Sequence, residues 1–517
     1  MGAMQVLLRG VETGGAELPS REPAKRATWI RSLALPLLLA ATACVRPPSD
    51  GRATGSWIYE VEAPGEGSRT VVVEATFDNA RTERLAITRE STPFVRNVEV
   101  KTGDGWRTVE RRGTQWVEPS CIRHCTVRYR IDLGELAAAC GDEVDCARRV
   151  GDATLSPALA WLAHPVPKTD VPVTVRVKTP NTMQFLSGMN ATDESGHIFG
   201  FRSYDLDEGS FTAFGPLRHY RVDVTGKAGQ PSARIDVALV GKTKYGMTDN
   251  DIREWVEEAA QVVAPLFGRF PVERTTLFLV PSRGEEEVVF GKVLSLAGAS
   301  VVLVVGDKMQ AGARHHDWVL VHELFHLGFP TFRGEGRWLG EGLATYYEPI
   351  LRARVGWTTG PEVYRQFARN MPRGFPARGS SSGLAQREDL DSIYWGGALF
   401  CFAADVRIRE ATRGKRSLDD VIRAALARGG DATKVWTVAE VVRLGDQVTG
   451  TTVLSEMYDR YAARGERIDL DGLLASLGVD RDGAGIELDE RRPLAWVRRQ
   501  IVGRATTALA ANIPSPE

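Results

Sequence analysis

Two histidines and a glutamate lie within five residues of one another in the segment HELFH, at His322, Glu323 and His326. The whole chain has only eight histidines, which makes this pairing informative. Residues four apart on a helix project from the same face, one turn apart, so the two imidazoles can bind one zinc ion. Glu323 lies beside that position and can take a proton from water there. The spacing predicts a catalytic metal site on a helix.

A catalytic zinc ion generally has three protein ligands and one open position. The segment RWLGEGLATYYE supplies Glu341, which follows His326 by 15 residues. Pro330, Gly334 and Gly336 lie between the two segments and can reverse the chain. We therefore predict that two packed helices bring Glu341 to the histidine pair around one zinc ion. Four further residues are weaker ligand candidates: Glu335, Glu348, His315 and His316.

Composition limits the class of protein. A length of 517 residues corresponds to about three domains of roughly 150 residues each. Hydrophobic residues at 43% and charged residues at 25% are typical of a folded globular protein. The 65 Lys and Arg residues against 66 Asp and Glu give a net charge of −1. Because nucleic-acid binding requires a basic surface, we expect no nucleic-acid partner.

The N-terminus has the pattern of a secretory signal peptide. Basic residues precede the apolar run SLALPLLLA, and Ala41-Thr42-Ala43 matches an A-x-A cleavage site, which predicts a signal peptide over residues 1–43. The run is too short to span a bilayer of about 30 Å comfortably. Cys44 follows the cleavage position, as in bacterial lipoproteins, and predicts lipidation; simple export with Cys44 in a disulfide is the alternative. We expect an exported protein of the bacterial periplasm or cell envelope, held at a membrane by its lipid anchor.

The predicted export determines the expected oxidation state of the remaining cysteines. Cys121, Cys125, Cys140 and Cys146 are expected to form two disulfides in an oxidising compartment, with three connectivities open. A zinc knuckle is the alternative, but the spacing fits zinc ribbons poorly. Cys401 lies in an apolar run and is predicted to be a buried thiol.

Periodicity divides the chain into regions. Residues 57–239 alternate with period two, which indicates an antiparallel β domain. A helical pattern with Thr248 as N-cap follows, then apolar strands, the two motif helices and a mostly helical remainder. We predict an α+β multidomain fold. Its segments are a signal peptide (1–43), a β-rich N-terminal domain (50–240), a catalytic domain (245–365), a helical domain (366–480) and a C-terminal helical tail (481–517).

HELFH followed by WLGEGLATYYE resembles the gluzincin metallopeptidases, which include thermolysin and the aminopeptidase N clan, and is most similar to the glycyl aminopeptidase family. The resemblance implies a thermolysin-like zinc catalytic domain between the β domain and the helical domain. It implies one zinc ion held by His322, His326 and Glu341, with Glu323 as general base and a peptide or protein as substrate. Tyr394, in YWGGAL, matches the tyrosine that donates a hydrogen bond to the developing oxyanion; an ordinary aromatic at a helix start is the alternative.

The chain also departs from this family. The loop between His326 and Glu341 is shorter than usual, and the strand before the motif lacks the glutamate that holds a substrate amine. Thr345 stands where thermolysin has an aspartate that supports a histidine ligand. A peptide is expected to lie along the strand around residues 295–302. Two other functions stay open: a catalytically weak zinc-binding surface protein, and a non-peptide hydrolase that uses the same site.

Overall fold

The computed structural model describes residues 55–503, apart from residues 64, 66–68, 142, 181–182, 227–230, 333, 377–381 and 483–484. The predicted signal peptide and the lipidation candidate Cys44 lie outside the described residues. Among the helices that the structure describes, none has the length and apolar composition needed to cross a membrane.

The N-terminal part of the described chain consists mainly of strands. They are β1 (Ser56–Glu62), β2 (Thr70–Asp78), β3 (Arg84–Ala86), β4 (Val95–Thr102), β5 (Gly105–Thr108), β6 (Glu110–Arg112), β7 (Gln115–Val117), β8 (His124–Asp132), β9 (Arg148–Val150), β10 (Ala153–Pro157), β11 (His164–Pro165), β12 (Pro172–Lys178), β13 (Gln184–Ser187), β14 (Ile198–Arg202) and β15 (Phe211–Gly215). One helix, α1 (Leu133–Cys140), follows β8.

These strands form three sheets. A seven-stranded sheet has the order β14-β12-β1-β2-β8-β4-β5, and two four-stranded sheets have the orders β13-β15-β10-β9 and β11-β3-β7-β6. The alternation in β8 buries Val127, Tyr129 and Ile131 on one face, as predicted. Of the strand pairings described in these sheets, only that of β1 with β12 is parallel. The predicted antiparallel β domain is therefore present, with one parallel pair that sequence alternation does not reveal.

A second region is built on the five-stranded sheet β16-β17-β18-β20-β19. Its strands are β16 (Leu217–Thr225), β17 (Pro231–Val240), β18 (Arg274–Ser282), β19 (Val288–Leu294) and β20 (Ser300–Gly306). A domain boundary at residue 240 would separate β17 from β18, with which it pairs in parallel. The strands β16 and β17 thus join the five-stranded sheet rather than the β domain. Period-two alternation marks a strand but does not identify the sheet that it joins.

The helices of the described chain follow in sequence. They are α2 (Asp249–Phe267), α3 (Val319–His326), α4 (Arg337–Val355), α5 (Gly360–Asn370), α6 (Gly397–Thr412), α7 (Leu418–Ala427), α8 (Val438–Thr449), α9 (Val453–Met457), α10 (Leu470–Ser476) and α11 (Ala495–Val502). The predicted start of α2 is confirmed: Thr248 and Asp251 form a capping box. Gly268 ends α2 with φ of 82°, a conformation that glycine adopts readily.

The C-terminal segment differs in part from the predicted helical tail. It contains the hairpin of β21 (Val479–Asp482) and β22 (Gly485–Leu488) before α11. Arg498 on α11 is buried, and its guanidinium donates to the carbonyl oxygens of Leu477 and Gly478 at 2.9 and 2.6 Å. The carbonyl of Arg498 accepts a hydrogen bond from Tyr364 Oη on α5. These bonds connect the end of the described chain to the helical region.

Cysteine pairing follows sequence proximity. Cys121 is bonded to Cys125, and Cys140 to Cys146, so the zinc-knuckle alternative does not apply to these four residues. Cys401 is buried and free, as predicted. Asp145, inside the second disulfide loop, pairs with Lys292 on β19 at 2.7 Å. That ion pair connects the β domain to the edge of the five-stranded sheet.

The connection between α3 and α4 is held by the helical region. Thr331 N donates to Lys434 O at 2.8 Å, and Trp436 N donates to Thr331 O at 3.1 Å. Thr331 Oγ1 and Ser295 Oγ both donate to Ala432 O, at 2.8 and 2.7 Å. Residues about 100 positions later in the chain thus fix the loop that joins the two motif helices.

Candidate metal centre

The first motif helix, α3, begins with its backbone donors satisfied by Asp317. The Asp317 carboxylate accepts hydrogen bonds from Val319 N at 3.0 Å and Leu320 N at 3.1 Å, as a helix N-cap residue does. Burial raises the pKa of Asp317 to about 6. Leu320 and Leu324 are fully buried and anchor α3 in the core. Asp317 was not among the predicted site residues, although an aspartate just before an apolar helix is an N-cap signal.

The second motif helix, α4, packs closely against α6 through two glycines. A Cβ atom at Gly342 would lie 2.5 Å from the Cα of Gly397, so only glycine allows this approach. Glu341 is the neighbour of Gly342, and its side chain is only 19% exposed. The close contact therefore fixes the position of the Glu341 backbone relative to α6.

The three predicted ligands come together at this point. His322 Nε2 and His326 Nε2 are 3.2 Å apart, and each lies 3.4 Å from Glu341 Oε2. Of the described residues, these three form the one group of side chains that could hold a metal ion. The shorter loop between the helices therefore still allows Glu341 to reach the histidine pair.

The spacing fits zinc. Tetrahedral ligands bonded at roughly 2.0–2.1 Å lie about 3.3–3.4 Å from one another, which is close to the three separations of 3.2–3.4 Å. Two imidazole nitrogens and one carboxylate oxygen are also a donor set that zinc accepts. Three ligands leave a fourth tetrahedral position for water or substrate, as in catalytic sites.

The charges in the group also favour a bound cation. Burial opposes ionisation of Glu341, but His326 and His322 hold the pKa of its carboxyl well below the usual range. Burial lowers the pKa of His322, which favours the neutral imidazole that a metal requires. His322 Nδ1 is buried without a hydrogen-bond partner among the described residues. Thr345 Oγ1 is also buried without a hydrogen-bond partner among the described residues. Thr345 therefore does not support a histidine ligand through a hydrogen bond.

Glu323 lies outside the ligand group but beside it. It is buried, and burial raises the pKa of its carboxyl to about 8. Its side chain packs against Gly291 of β19, where a larger residue would collide with it. A carboxyl group with a pKa near neutrality can both accept and return a proton at physiological pH.

Tyr394 lies on a π-helical turn, Ser392–Gly396, at the start of α6. Its ring is stacked on that of His322, with the centroids 6.2 Å apart. Burial and the carboxylates of Glu341 and Glu323 raise its pKa well above the usual range, so the phenol stays a hydrogen-bond donor. The structure thus places Tyr394 at the metal centre.

The weaker ligand candidates lie elsewhere. Glu348 is paired with Arg352 at 2.8 Å, and Glu335 is exposed in the loop. His315 is paired with Glu258 at 2.8 Å, and His316 is exposed before α3. None of these four side chains joins the group of His322, His326 and Glu341.

The expected position of a bound peptide needs correction. Residues 295–299 form a turn, and β20 is paired on both sides, with β18 and β19, so β20 has no free edge. The edge strands of the sheet are β16 and β19, and β19 contacts α3 through Gly291. A peptide that adds to this sheet beside the group of His322, His326 and Glu341 must therefore pair with β19.

Comparison with known proteins establishes the fold. No protein-family model matches the chain, and no curated protein matches it. Among solved structures, an aminopeptidase N family protein from Idiomarina loihiensis matches with a TM-score of 0.63 and 15% identity, over 82% of this chain and 78% of that one. The M1 zinc metallopeptidase from Deinococcus radiodurans matches with a TM-score of 0.51 and 16% identity, over 80% of this chain and 94% of that one. The chain has the fold of the M1 zinc metallopeptidases.

This M1-type fold agrees with the resemblance drawn from HELFH and WLGEGLATYYE. A mutant of the Deinococcus radiodurans enzyme, bound to a Tyr-Ser-Ala substrate, matches with a TM-score of 0.50. The order of the regions in this chain, from the β domain through the mixed region to the helices, is that of the M1-type architecture.

Proposed function

We propose that the protein is an exported, zinc-dependent, aminopeptidase-like metallopeptidase that hydrolyses peptide bonds. One observation carries the proposal: two imidazole nitrogens and one carboxylate oxygen converge at 3.2–3.4 Å, with a second, buried carboxyl group, that of Glu323, left outside the ligand group. A purely structural zinc site has no use for that additional carboxyl group.

His322, His326 and Glu341 would hold one zinc ion. Bound zinc supplies Lewis acidity, which acidifies water and polarises a carbonyl group. Glu323 accepts the proton of the attacking water and returns it to the leaving amine. General acid–base catalysis of this kind contributes about 10²- to 10⁴-fold to a rate.

Two further parts of the chain would act on the peptide. The edge strand β19 offers its backbone to an extended substrate, since its outer side has no partner strand among the described residues. Tyr394 donates a hydrogen bond to the oxyanion that develops during attack. The M1 zinc metallopeptidase fold and the peptide bound to one of its members support a peptide substrate for this chain.

A peptide library tests the proposal. We expect the purified protein to hydrolyse peptides, to lose activity with a chelator and to regain it with zinc. Glu323→Gln should keep zinc and lose turnover by at least about 100-fold. Glu257→Gln, which makes the same change at an exposed position on α2, should behave as wild type. Hydrolysis by zinc-loaded Glu323→Gln at the wild-type rate would disprove the role of Glu323.

The same assay separates the remaining alternatives. Cleavage of free peptides but not of N-acetylated ones is expected for an aminopeptidase, and equal cleavage of both indicates an endopeptidase. Zinc binding without hydrolysis of any peptide would favour a zinc-binding surface protein or a non-peptide hydrolase.

Export rests on the signal peptide pattern of residues 1–43 and on Cys44. We expect the mature protein to begin at a lipidated Cys44 and to fractionate with a membrane. Cys44→Ser should release it to the soluble fraction of the cell envelope, whereas Cys401→Ser should not. A mature N-terminus at another residue, found by mass spectrometry, would contradict this assignment.

A further inference from the structure

Glycines bring the π-helical turn that carries Tyr394 close to two other elements. A Cβ atom at Gly397, directly after the turn, would lie 2.8 Å from the Cα of Gly342 on α4. A Cβ atom at Gly374 would lie 2.6 Å from the carbonyl carbon of Trp395, within the turn. These neighbours are backbone atoms, which cannot rotate away as a side chain does. Close backbone contacts therefore fix the turn against both elements.

Gly374 is the last residue of the short 3₁₀ turn that follows α5, and it is buried. Its carbonyl oxygen accepts a hydrogen bond from Arg387 Nη1 at 3.0 Å. The neighbouring Arg373 pairs at 2.6 Å with Asp391, the residue before the π-helical turn. The φ angle of Gly374 is not positive, so its backbone conformation does not require glycine. The contact with the π-helical turn does require it.

We propose that Gly374 is a positioning residue for Tyr394: its missing side chain lets the π-helical turn come close enough to direct the Tyr394 hydroxyl to the oxyanion. This inference rests on the proposed function. The rings of Tyr394 and His322 are stacked with centroids 6.2 Å apart, and a shift of the turn moves the tyrosine ring with it. A displacement of about 1 Å at a reacting group lowers a rate by about 100-fold. A π-helical turn within a helix is also frequent at functional sites.

Gly374→Ala tests this role in the zinc-loaded, full-length protein. We expect kcat on one peptide to fall by about 100-fold, with KM within about threefold of wild type, because the added methyl group displaces Tyr394. Zinc content should not change. Gly360→Ala, the same exchange at the first residue of α5, should behave as wild type, since its Cβ would lie an ordinary 3.5 Å from Val502 Cγ2. An unchanged kcat in Gly374→Ala would overturn the proposal.

A double variant shows whether the effect passes through Tyr394. Gly374→Ala added to Tyr394→Phe should lower kcat by at most about twofold more, because the hydroxyl that Gly374 positions is already absent. A defect that does not act through the tyrosine would instead multiply the effect of Tyr394→Phe. That result would overturn the proposal.

Gly396→Ala gives the same test from the other side of the contact if Gly374→Ala does not fold. Its Cβ would lie 3.1 Å from Gly374 O and 2.9 Å from Leu384 Cδ1, so the overlap is smaller. We expect kcat to fall about tenfold when Tyr394 is present and by at most about twofold in Tyr394→Phe. An equal fall in both backgrounds would contradict the proposal.

A phosphinic peptide provides a readout that does not require turnover, since its tetrahedral oxygens resemble the oxyanion. In the zinc-loaded protein, Gly374→Ala and Tyr394→Phe should each raise its Kd about tenfold to a hundredfold, and the double variant should raise it no further. Chelator-sensitive hydrolysis in which the two changes multiply would overturn this inference and leave the proposed function standing. The expected pattern in binding, without hydrolysis by the wild-type protein, would do the reverse. Equal Kd values for wild type and Gly374→Ala would also overturn the inference.

Discussion

Gly291 on β19 lies in direct contact with Glu323 on α3. A Cβ atom at position 291 would come within 2.6 Å of Glu323 Cγ and 2.7 Å of Glu323 Oε1. It would also lie 2.7 Å from Val319 Cγ1, so two side chains of α3 would have to shift. The absence of a side chain at Gly291 therefore sets the position of the proposed base relative to the edge strand.

Gly291→Ala is expected to lower kcat by about 100-fold, because a displacement of about 1 Å in a reacting group has an effect of this size. Zinc content should stay unchanged, since the atoms nearest to the new methyl group belong to Glu323 and Val319, and not to His322, His326 or Glu341. Gly312→Ala is the control, because a Cβ there meets no atom within 4 Å. If Gly291→Ala keeps the wild-type kcat, Glu323 does not need the space that glycine leaves at position 291.

Glu341→Ala is expected to lose zinc. Removal of one ligand from a three-ligand group leaves two imidazoles, which are insufficient for a stable tetrahedral site. Glu335→Ala, an exposed glutamate in the preceding loop, should retain one zinc ion per chain. Zinc-to-protein ratios after dialysis, from elemental analysis, check both. Zinc loss in the Glu335 variant, with retention in the Glu341 variant, would assign the third ligand to the loop instead.

Tyr394→Phe is expected to reduce kcat by about 10²- to 10³-fold, the effect of removing one oxyanion donor. Zinc content should not change, because the hydroxyl is outside the ligand group. The ring that stacks on His322 is retained in phenylalanine, so the variant removes only the hydrogen bond. Steady-state kinetics on one neutral peptide provide the measurement, and an unchanged kcat would reduce Tyr394 to a packing residue.

Asp236 on β17 is expected to contribute to stability in a pH-dependent way. It is buried beside Arg234 and Arg274, each at 2.9 Å. Burial opposes its ionisation, but His219 and the two arginines hold its pKa at about 2. A carboxyl with a lowered pKa stabilises the fold above its unfolded-state pKa, and this contribution disappears as pH falls from about 4 to about 2.

Asp236→Asn should therefore lower the free energy of unfolding by about 2 kcal/mol at pH 7, and the difference from wild type should shrink below pH 4. Urea unfolding in the presence of a chelator removes any contribution from zinc. Asp223→Asn, which breaks an exposed pair with Arg221, should have an effect of at most about 1 kcal/mol. If Asp236→Asn lowers the free energy of unfolding by the same amount at pH 7 and pH 3, the charge of Asp236 is not the cause of its contribution.

The parts of the fold that depend on local sequence could be predicted. Spacing of four residues identified His322 and His326, and the capping residues of α2 marked its start at Thr248. The alternation in β8 identified its buried face. Each of these features depends on helix or strand periodicity, which a single segment displays by itself.

Partners in space could not be predicted in the same way. Sequence alternation did not reveal that β1 pairs in parallel with β12, or that β19 rather than the strand after it forms the sheet edge. Gly291 derives its importance from a neighbour on another element, Glu323. Such contacts depend on how segments pack, which no local pattern contains.

The hydrogen bonds between Thr331 and the segment around Lys434 have a consequence for biosynthesis. A nascent chain that has released both HELFH and Glu341 from the ribosome still lacks the residues that secure the loop between them. Contacts of such long sequence separation form late, because the intervening chain must first be ordered. Premature termination before Lys434 is thus expected to yield a polypeptide that contains every zinc ligand and yet fails to assemble the centre.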